Sequence, residues 1–172
     1  MIELLVTLTV AGILMGIAFP AFNSFLKNDR DLGQINSLVS SFNYARSEAV
    51  KRAANGVAVC PSADGQNCDA ATTSWSEGWI VKYIDTITPA NSVVLQAVPA
   101  LTGTNTVTAA SLPPTGITFF SSGLSSAAQT VRVCDTRGPA FARQVEVNAT
   151  GRVASTQTVG KAVDGTTALT CP

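Results

Sequence analysis

An uncharged apolar run at the N-terminus constrains this chain more than any other feature. No Asp, Glu, Lys or Arg occurs from Leu4 to Leu26. As an α-helix this run is about 35 Å long, which exceeds the hydrocarbon core of a bilayer, about 30 Å thick. A buried core helix rarely stays uncharged for so long. A secretory signal peptide would start with a basic segment and end at an Ala-x-Ala site. We therefore expect residues 1–26 to be a membrane-resident helix half.

Two residues inside this segment are unusual for a simple anchor. Glu3 lies where the positive end of the helix dipole favours a carboxylate, but an unpaired carboxylate is costly in lipid. It is either an interfacial residue or a group that pairs with a cation on another chain. Pro20 removes a backbone hydrogen bond and predicts a kink or local unwinding, although membrane helices tolerate prolines.

The next segment, residues 27–54, has the pattern of an amphipathic helix that continues the first half and lies on a soluble domain. Its apolar residues recur at helical spacing: Leu32, Ile35, Leu38, Val39, Phe42, Ala45 and Ala49. The expected solvent face carries Asp31, Gln34, Ser37, Ser41, Glu48 and Lys51. Asn55-Gly56 predicts the helix end, with Gly56 in the left-handed position that follows a helix.

Residues 57–172 have the alternation and turn residues of β-structure. The expected strands are 57–60, 78–85, 92–98, 116–120, 130–134, 142–147 and 152–154, with a turn at Thr150-Gly151. Pro99 to Pro114 is rich in Thr, Ala, Pro and Gly and is expected to be a long loop. The predicted fold class is α+β, with one long N-terminal helix packed on one or more antiparallel sheets.

The start of the chain, Met1-Ile2-Glu3-Leu4-Leu5-Val6-Thr7-Leu8, resembles mature type IV pilins and type II secretion pseudopilins, which typically begin Phe-Thr-Leu-Ile-Glu-Leu. Glu3 matches the glutamate of that family, and Pro20 matches its stem proline at the same separation. Met1 stands where the family has its third mature residue. A misassigned start and a truncated chain are the two explanations that we expect for the missing leader.

Further motifs resemble the FimT/FimU/GspH branch of minor pilins and pseudopilins. They are Tyr44-Ala45-Arg46-Ser47-Glu48-Ala49, Trp75, Gly78-Trp79-Ile80-Val81, Val133-Cys134-Asp135 and Gly151-Arg152-Val153. The resemblance implies a pilin-like fold and a low-abundance structural subunit near the tip of a filament. It implies other minor and major pilins as partners. The subunit would sit in the inner membrane with a periplasmic domain before it enters the pilus or pseudopilus.

Four cysteines, Cys60, Cys68, Cys134 and Cys171, suggest disulfides in an exported domain. Three pairings exist, and we favour Cys60–Cys68 and Cys134–Cys171. A zinc site is the weaker alternative, because the sequence has no C-x-x-C pair and no histidine. The lack of histidine also excludes a Ser-His-Asp triad or a Cys-His pair, so we expect neither an enzyme nor a metal or other cofactor.

A nucleic-acid site is the second functional hypothesis. Some FimT-type pilins bind DNA for natural transformation through Gly-Arg-x-Arg, and this chain has Gly151-Arg152-Val153-Ala154, in which alanine replaces the second arginine. The chain as a whole has equal numbers of acidic and basic residues, 11 of each, so binding of double-stranded DNA would need a local patch. The candidate patch residues are Arg152, Arg143, Arg137 and Lys161, with Arg132 nearby in the sequence.

Overall fold

The computed structural model describes residues 2–53, 56–69, 72–85, 87–88, 91–109 and 116–171. One long helix, α1 (Ile2–Lys51), comes first. The strands that follow are β1 (Val57–Pro61), β2 (Trp79–Tyr83), β3 (Val93–Val98), β4 (Thr106–Ala109), β5 (Ile117–Phe119), β6 (Gln129–Cys134), β7 (Arg143–Val147) and β8 (Val153–Ser155). A short 3-10 helix, Pro139–Phe141, links β6 to β7. The α+β prediction is confirmed.

The strands form two antiparallel sheets of four strands each. Their orders are β3-β2-β1-β5 and β4-β6-β7-β8. The second half of α1 packs against strands of both sheets. Apolar side chains from the helix and the two sheets share one core, because each sheet turns one face toward the helix. The core includes Trp75 and Trp79, both fully buried, with ring centroids 6.3 Å apart.

The expectation of a loop from Pro99 to Pro114 is wrong in part, since β4 lies within it. β4 pairs with β6 in the register Thr106↔Cys134 to Ala109↔Val131. On its other side, Val107 accepts a hydrogen bond from the backbone of Trp75. Three of the four residues of β4, Thr106, Val107 and Thr108, are β-branched and favour a strand. The strand is short and lies in a segment rich in turn residues, so its pairing on both sides, rather than the local pattern, shows where it lies. Residues 110–114 of the expected loop lie outside the described part.

The end of α1 also differs from the expectation. The helix ends at Lys51, and Ala53 has the positive φ, 47°, that was expected at Gly56. Asn55 lies outside the described residues. Gly56 is instead required by packing, because a Cβ atom at this position would lie 2.7 Å from the Thr118 methyl group.

The buried face of α1 differs from the predicted stripe in its polar members. Ile35, Leu38, Phe42, Ala45 and Ala49 are buried as expected, but Leu32 is 40% exposed. Four residues expected on the solvent face are buried: Asp31, Gln34, Ser41 and Glu48. Each of them has a polar partner, which removes most of the cost of burial. Ser41, for example, accepts a hydrogen bond from the Trp79 indole at 3.0 Å.

Both disulfides join the cysteines that the sequence analysis favours. Cys60–Cys68 closes the start of the β1–β2 connection. Cys134–Cys171 ties the C-terminal segment to the end of β6, where Leu169 and Ala142 pack beside it. Because that segment has few buried apolar side chains of its own, the covalent link holds it on the second sheet.

Candidate functional site

The first half of α1 leaves the globular domain as an exposed apolar rod. Its large hydrophobic side chains are exposed to between 44% at Leu26 and 79% at Ile2. In length and composition it is the one helix of the described chain able to cross a membrane. Water is a poor solvent for such a surface, because each large apolar side chain left uncovered forgoes about 1.5–3 kcal/mol of burial. This half is therefore the first candidate site.

Polar groups on the rod are few and mostly satisfied by its own backbone. The hydroxyl of Thr7 donates to the Leu4 carbonyl at 2.9 Å, and that of Thr9 donates to the Val6 carbonyl at 2.8 Å. Both are therefore compatible with an apolar environment. Glu3 lies in the first turn and is exposed. No cation within the described residues hydrogen-bonds or ion-pairs with it. α1 continues through Pro20, but the side chains of Pro20 and Ala21 are outside those described.

The second candidate site is a polar network where the rod meets the domain. Arg137, on the loop between β6 and β7, donates from Nε to Asp135 at 2.6 Å and from Nη2 to Asp31 of α1 at 3.1 Å. Its Nη1 donates to the Asn28 side chain at 2.8 Å. The guanidinium carbon lies 4.3 Å from the centroid of the Phe141 ring. We call Arg137 and the four residues around it the stem latch.

Asn105, just before β4, extends the stem latch along the helix. Its amide nitrogen donates to Asp31 at 2.6 Å and to Gln34 at 3.0 Å. Burial raises the pKa of the Asp31 carboxyl above its ordinary value, and repulsion from the Asp135 carboxylate adds to this effect. The Arg137 charge and the Asn105 hydrogen bond act in the opposite direction. The network therefore holds a buried carboxylate that only its partners make tolerable.

The structure does not bring the four predicted DNA-binding residues into one patch. Arg137 is engaged in the ion pairs of the stem latch. Arg143 lies on β7 and is half-buried, and Lys161 donates to the Thr166 carbonyl in the C-terminal segment at 3.2 Å. Arg132, which the sequence places near them, donates to the Thr170 hydroxyl at 2.8 Å. Of the four, Arg152 alone is exposed, on the turn between β7 and β8.

Arg152 lies at the other end of the domain, directly after Gly151, which packs against Arg46. Gly151 is packed so closely that a Cβ there would lie 2.0 Å from the Gly123 carbonyl oxygen and 3.2 Å from Nε of Arg46. Arg46 donates to that same carbonyl at 3.1 Å. Since Asp31 and Arg46 are 15 residues apart on α1, this end is about 22 Å from the stem latch.

Sequence reasoning missed the stem latch because it placed Asp31 and Gln34 on the solvent face. A usable signal was present. Asp31 lies four residues before Ile35 and seven before Leu38, on the same helical face as the apolar stripe. A carboxylate at such a position predicts a buried cation as its partner.

Nothing in the described residues has the arrangement of a metal site, since no group of three or more His, Cys, Asp or Glu side chains converges there. Among these residues all cysteines are in disulfides, so none is free to act as a nucleophile. The two candidate sites themselves offer an apolar surface for packing and a buried network of ion pairs.

Comparisons with known proteins agree with this view of the fold. The structure is similar to a crystal form of FimU, a type IV minor pilin of Pseudomonas aeruginosa, with a TM-score of 0.56 and 19% identity over 73% of this chain and 91% of FimU. A second FimU crystal form gives a TM-score of 0.57 and 18% identity, over 78% of this chain and 98% of FimU. The minor pseudopilin EpsH of the Vibrio cholerae type 2 secretion system gives a TM-score of 0.55 and 11% identity, over 74% of this chain and 96% of EpsH.

A comparison with curated proteins found no significant match. The structural likenesses, at such low identities, show the fold alone. The family model described as type II transport protein GspH matches residues 34–151, which is more than half of the chain and includes most of the buried half of α1 and β1 to β7. On this match, the chain belongs to the GspH family of minor pilins and pseudopilins.

Proposed function

We propose that this chain is a minor pilin-like structural subunit. It is held in the inner membrane by the first half of α1, with its folded domain in the periplasm. It then enters a type IV pilus at or near the tip, where it primes assembly with other minor and major pilins. The observation that carries this proposal is the exposed first half of α1, which has no charge from Leu4 to Leu26 and is continuous with a folded, disulfide-bonded domain.

The rod needs two different apolar surroundings in turn. Lipid covers it before assembly, and helices of neighbouring subunits cover it afterwards. Glu3 sets the register of the rod against the helices of neighbouring subunits, because a carboxylate buried without a partner costs several kcal/mol. We propose the terminal amine of the adjacent subunit as its partner. Pro20 would allow the rod to bend or unwind as it packs.

The test is incorporation of Glu3 variants into filaments. Glu3→Gln and Glu3→Val should both reduce the amount of this subunit in purified filaments, because neither can form the ion pair. Thr7→Val is the matched control, since it changes a polar residue one turn away whose hydroxyl bonds only to the helix backbone. Formation of both disulfides is measured in parallel to show that the domain still folds. Wild-type incorporation of both Glu3 variants would refute the role of this residue.

A pseudopilus of type II secretion is the alternative assembly. The description of the matched family and the likeness to EpsH favour it. Removing the gene and restoring it on a plasmid separates the two assemblies. Loss of surface pili supports the pilus, whereas loss of secreted enzymes with normal pili supports the pseudopilus.

DNA uptake is the alternative function, and the observation that favours it is the exposure of Arg152 on the turn between β7 and β8, whose Gly151 packs against Arg46. The domain from residue 27 onward, with its disulfides formed, is titrated into labelled duplex DNA at low and at physiological salt. Binding through phosphates should weaken with salt, with a log–log slope of about −0.9 per contact. Salt-sensitive binding that Arg152→Ala reduces would support this function. No binding at low salt would exclude it.

A further inference from the structure

The stem latch lies at the last point where the globular domain holds α1. N-terminal to Ser24, the described side chains of the helix are exposed, and none of them hydrogen-bonds to the domain. From Ser24 onward the contacts begin: the Arg137 guanidinium lies 3.5 Å from the Ser24 carbonyl oxygen and donates to Asn28 and Asp31. The Lys27 ammonium donates to the Thr136 hydroxyl at 3.2 Å.

Arg137 is itself fixed on the domain side. Asp135 accepts from its Nε and also from its backbone N–H at 2.8 Å, and the ring of Phe141 packs against the guanidinium. Asp135 follows Cys134, whose disulfide holds the C-terminal segment. The Arg137 side chain is 13% exposed. A planar guanidinium held on two sides has little freedom to turn, so it transmits the position of the loop to the helix.

We infer that Arg137 is a positioning residue for assembly, which sets the direction in which the apolar half of α1 leaves the domain. This inference rests on the proposed function, because direction matters only if the rod must meet other helices. From Glu3 to Leu26 the rod is about 35 Å long. A tilt of about 10° at the latch would move Glu3 by about 6 Å, more than half of the 8–10 Å between packed helices. An ion pair needs its atoms within about 4 Å, so that error is enough to break it.

Arg46 provides a matched control at the other end of the same helix. It also joins α1 to a loop, by donating to the Gly123 carbonyl at 3.1 Å, and it too is half-buried. Its contact lies about 22 Å further from the rod. If Arg137 acted only by stabilising the domain, its loss would leave the direction of the rod unchanged in every molecule that stays folded, as loss of Arg46 should. If Arg137 positions the rod, only its loss should matter.

The test measures the direction of the rod in the full chain in detergent micelles, with both disulfides formed. Nitroxide labels are placed on cysteines introduced at Leu8 and Gln157, which are exposed on the helix and the domain. Leu8 is about 30 Å along the helix from Asn28, so a tilt of about 10° at the latch moves it by about 5 Å. Bending at Pro20 is common to all variants, so comparison with the wild type removes its contribution. Arg137→Ala is combined with Asp31→Asn, because the neutral amide does not leave a buried unpaired charge on the helix. Arg46→Ala is the control.

We expect a broadened distance distribution in the Arg137→Ala/Asp31→Asn variant and an unchanged one in Arg46→Ala. Incorporation into filaments should fall in the first variant and not in the second. An unchanged distribution in the double variant, or equal broadening in Arg46→Ala, would overturn the inference. The distance measurement does not require a filament, so it supports or refutes the role of Arg137 even if the Glu3 variants assemble normally and the proposed function fails.

Discussion

Replacing Arg137 with Ala should destabilise the globular domain far more than the loss of a surface arginine. The side chains of its two carboxylate partners, Asp31 and Asp135, are 3% and 1% exposed. Removing one partner of a buried ion pair costs about 3–5 kcal/mol, because the other charge stays buried without compensation. Asn105 still bonds to Asp31, and a backbone N–H still bonds to Asp135. We therefore expect the lower end, about 3 kcal/mol at neutral pH.

The size of this loss should depend on pH. Burial and the nearby Asp135 carboxylate already raise the pKa of Asp31, and removing the Arg137 charge raises it further. A carboxyl whose pKa is higher in the folded state stabilises the fold below its unfolded pKa, about 3.9. That stabilisation is lost as the pH rises through the folded-state pKa. The free-energy difference between wild type and Arg137→Ala should therefore be small near pH 4, about the unfolded pKa, and full at pH 7.

The assay is urea unfolding of residues 22–172, with both disulfides formed, followed by the fluorescence of the buried Trp75 and Trp79. Arg152→Ala is the matched control, and its exposed position predicts a change within about 0.5 kcal/mol. Adding Asp31→Asn to Arg137→Ala should recover part of the stability and most of the pH dependence. A loss below about 1 kcal/mol at pH 7, the size of an exposed ion pair, or a loss that is the same at pH 4 and pH 7, would refute the reasoning.

Three further predictions concern stability and use the same unfolding assay. Phe42→Ala should cost about 3–5 kcal/mol because it leaves a cavity beside Trp75, and a cost below about 1 kcal/mol would contradict the assigned core. Gly151→Ala should cost at least about 1–3 kcal/mol, because φ is 75° and the new Cβ would clash with a carbonyl oxygen, whereas a neutral effect would mean that the turn can move. Replacing Cys134 and Cys171 with Ser should cost about 3.9 kcal/mol by loop entropy, and no loss would show that the C-terminal segment stays in place without its link.

Most of the fold was predictable from the sequence because its signals are local. The helical spacing of Ile35, Leu38 and Phe42 gave the buried face of α1. Short apolar runs, period-two alternation and turn residues together gave seven of the eight strands. β4 was missed because Thr106–Ala109 is only four residues long and lies in a segment rich in Pro, Gly, Thr and Ala, and because its partners, β6 and the backbone of Trp75, are distant in the sequence. The division into two sheets escaped for the same reason, since a period of two shows which residues share a face but not which strands are neighbours.

The candidate sites also divide into one that local sequence signals reveal and one that depends on long-range contacts. Composition alone determined the apolar half of α1 and the single carboxylate at its start, since a run without charge from Leu4 to Leu26 needs no partner to be recognised. Only the tertiary structure decided what the arginines do. It placed Arg137 against Asp31, 106 positions away in the chain, and left Arg152 at the opposite end of the domain. The physical reason is that the sequence shows which residues are charged but not which of them meet in the fold, whereas a buried ion pair requires two particular side chains to come together in one place.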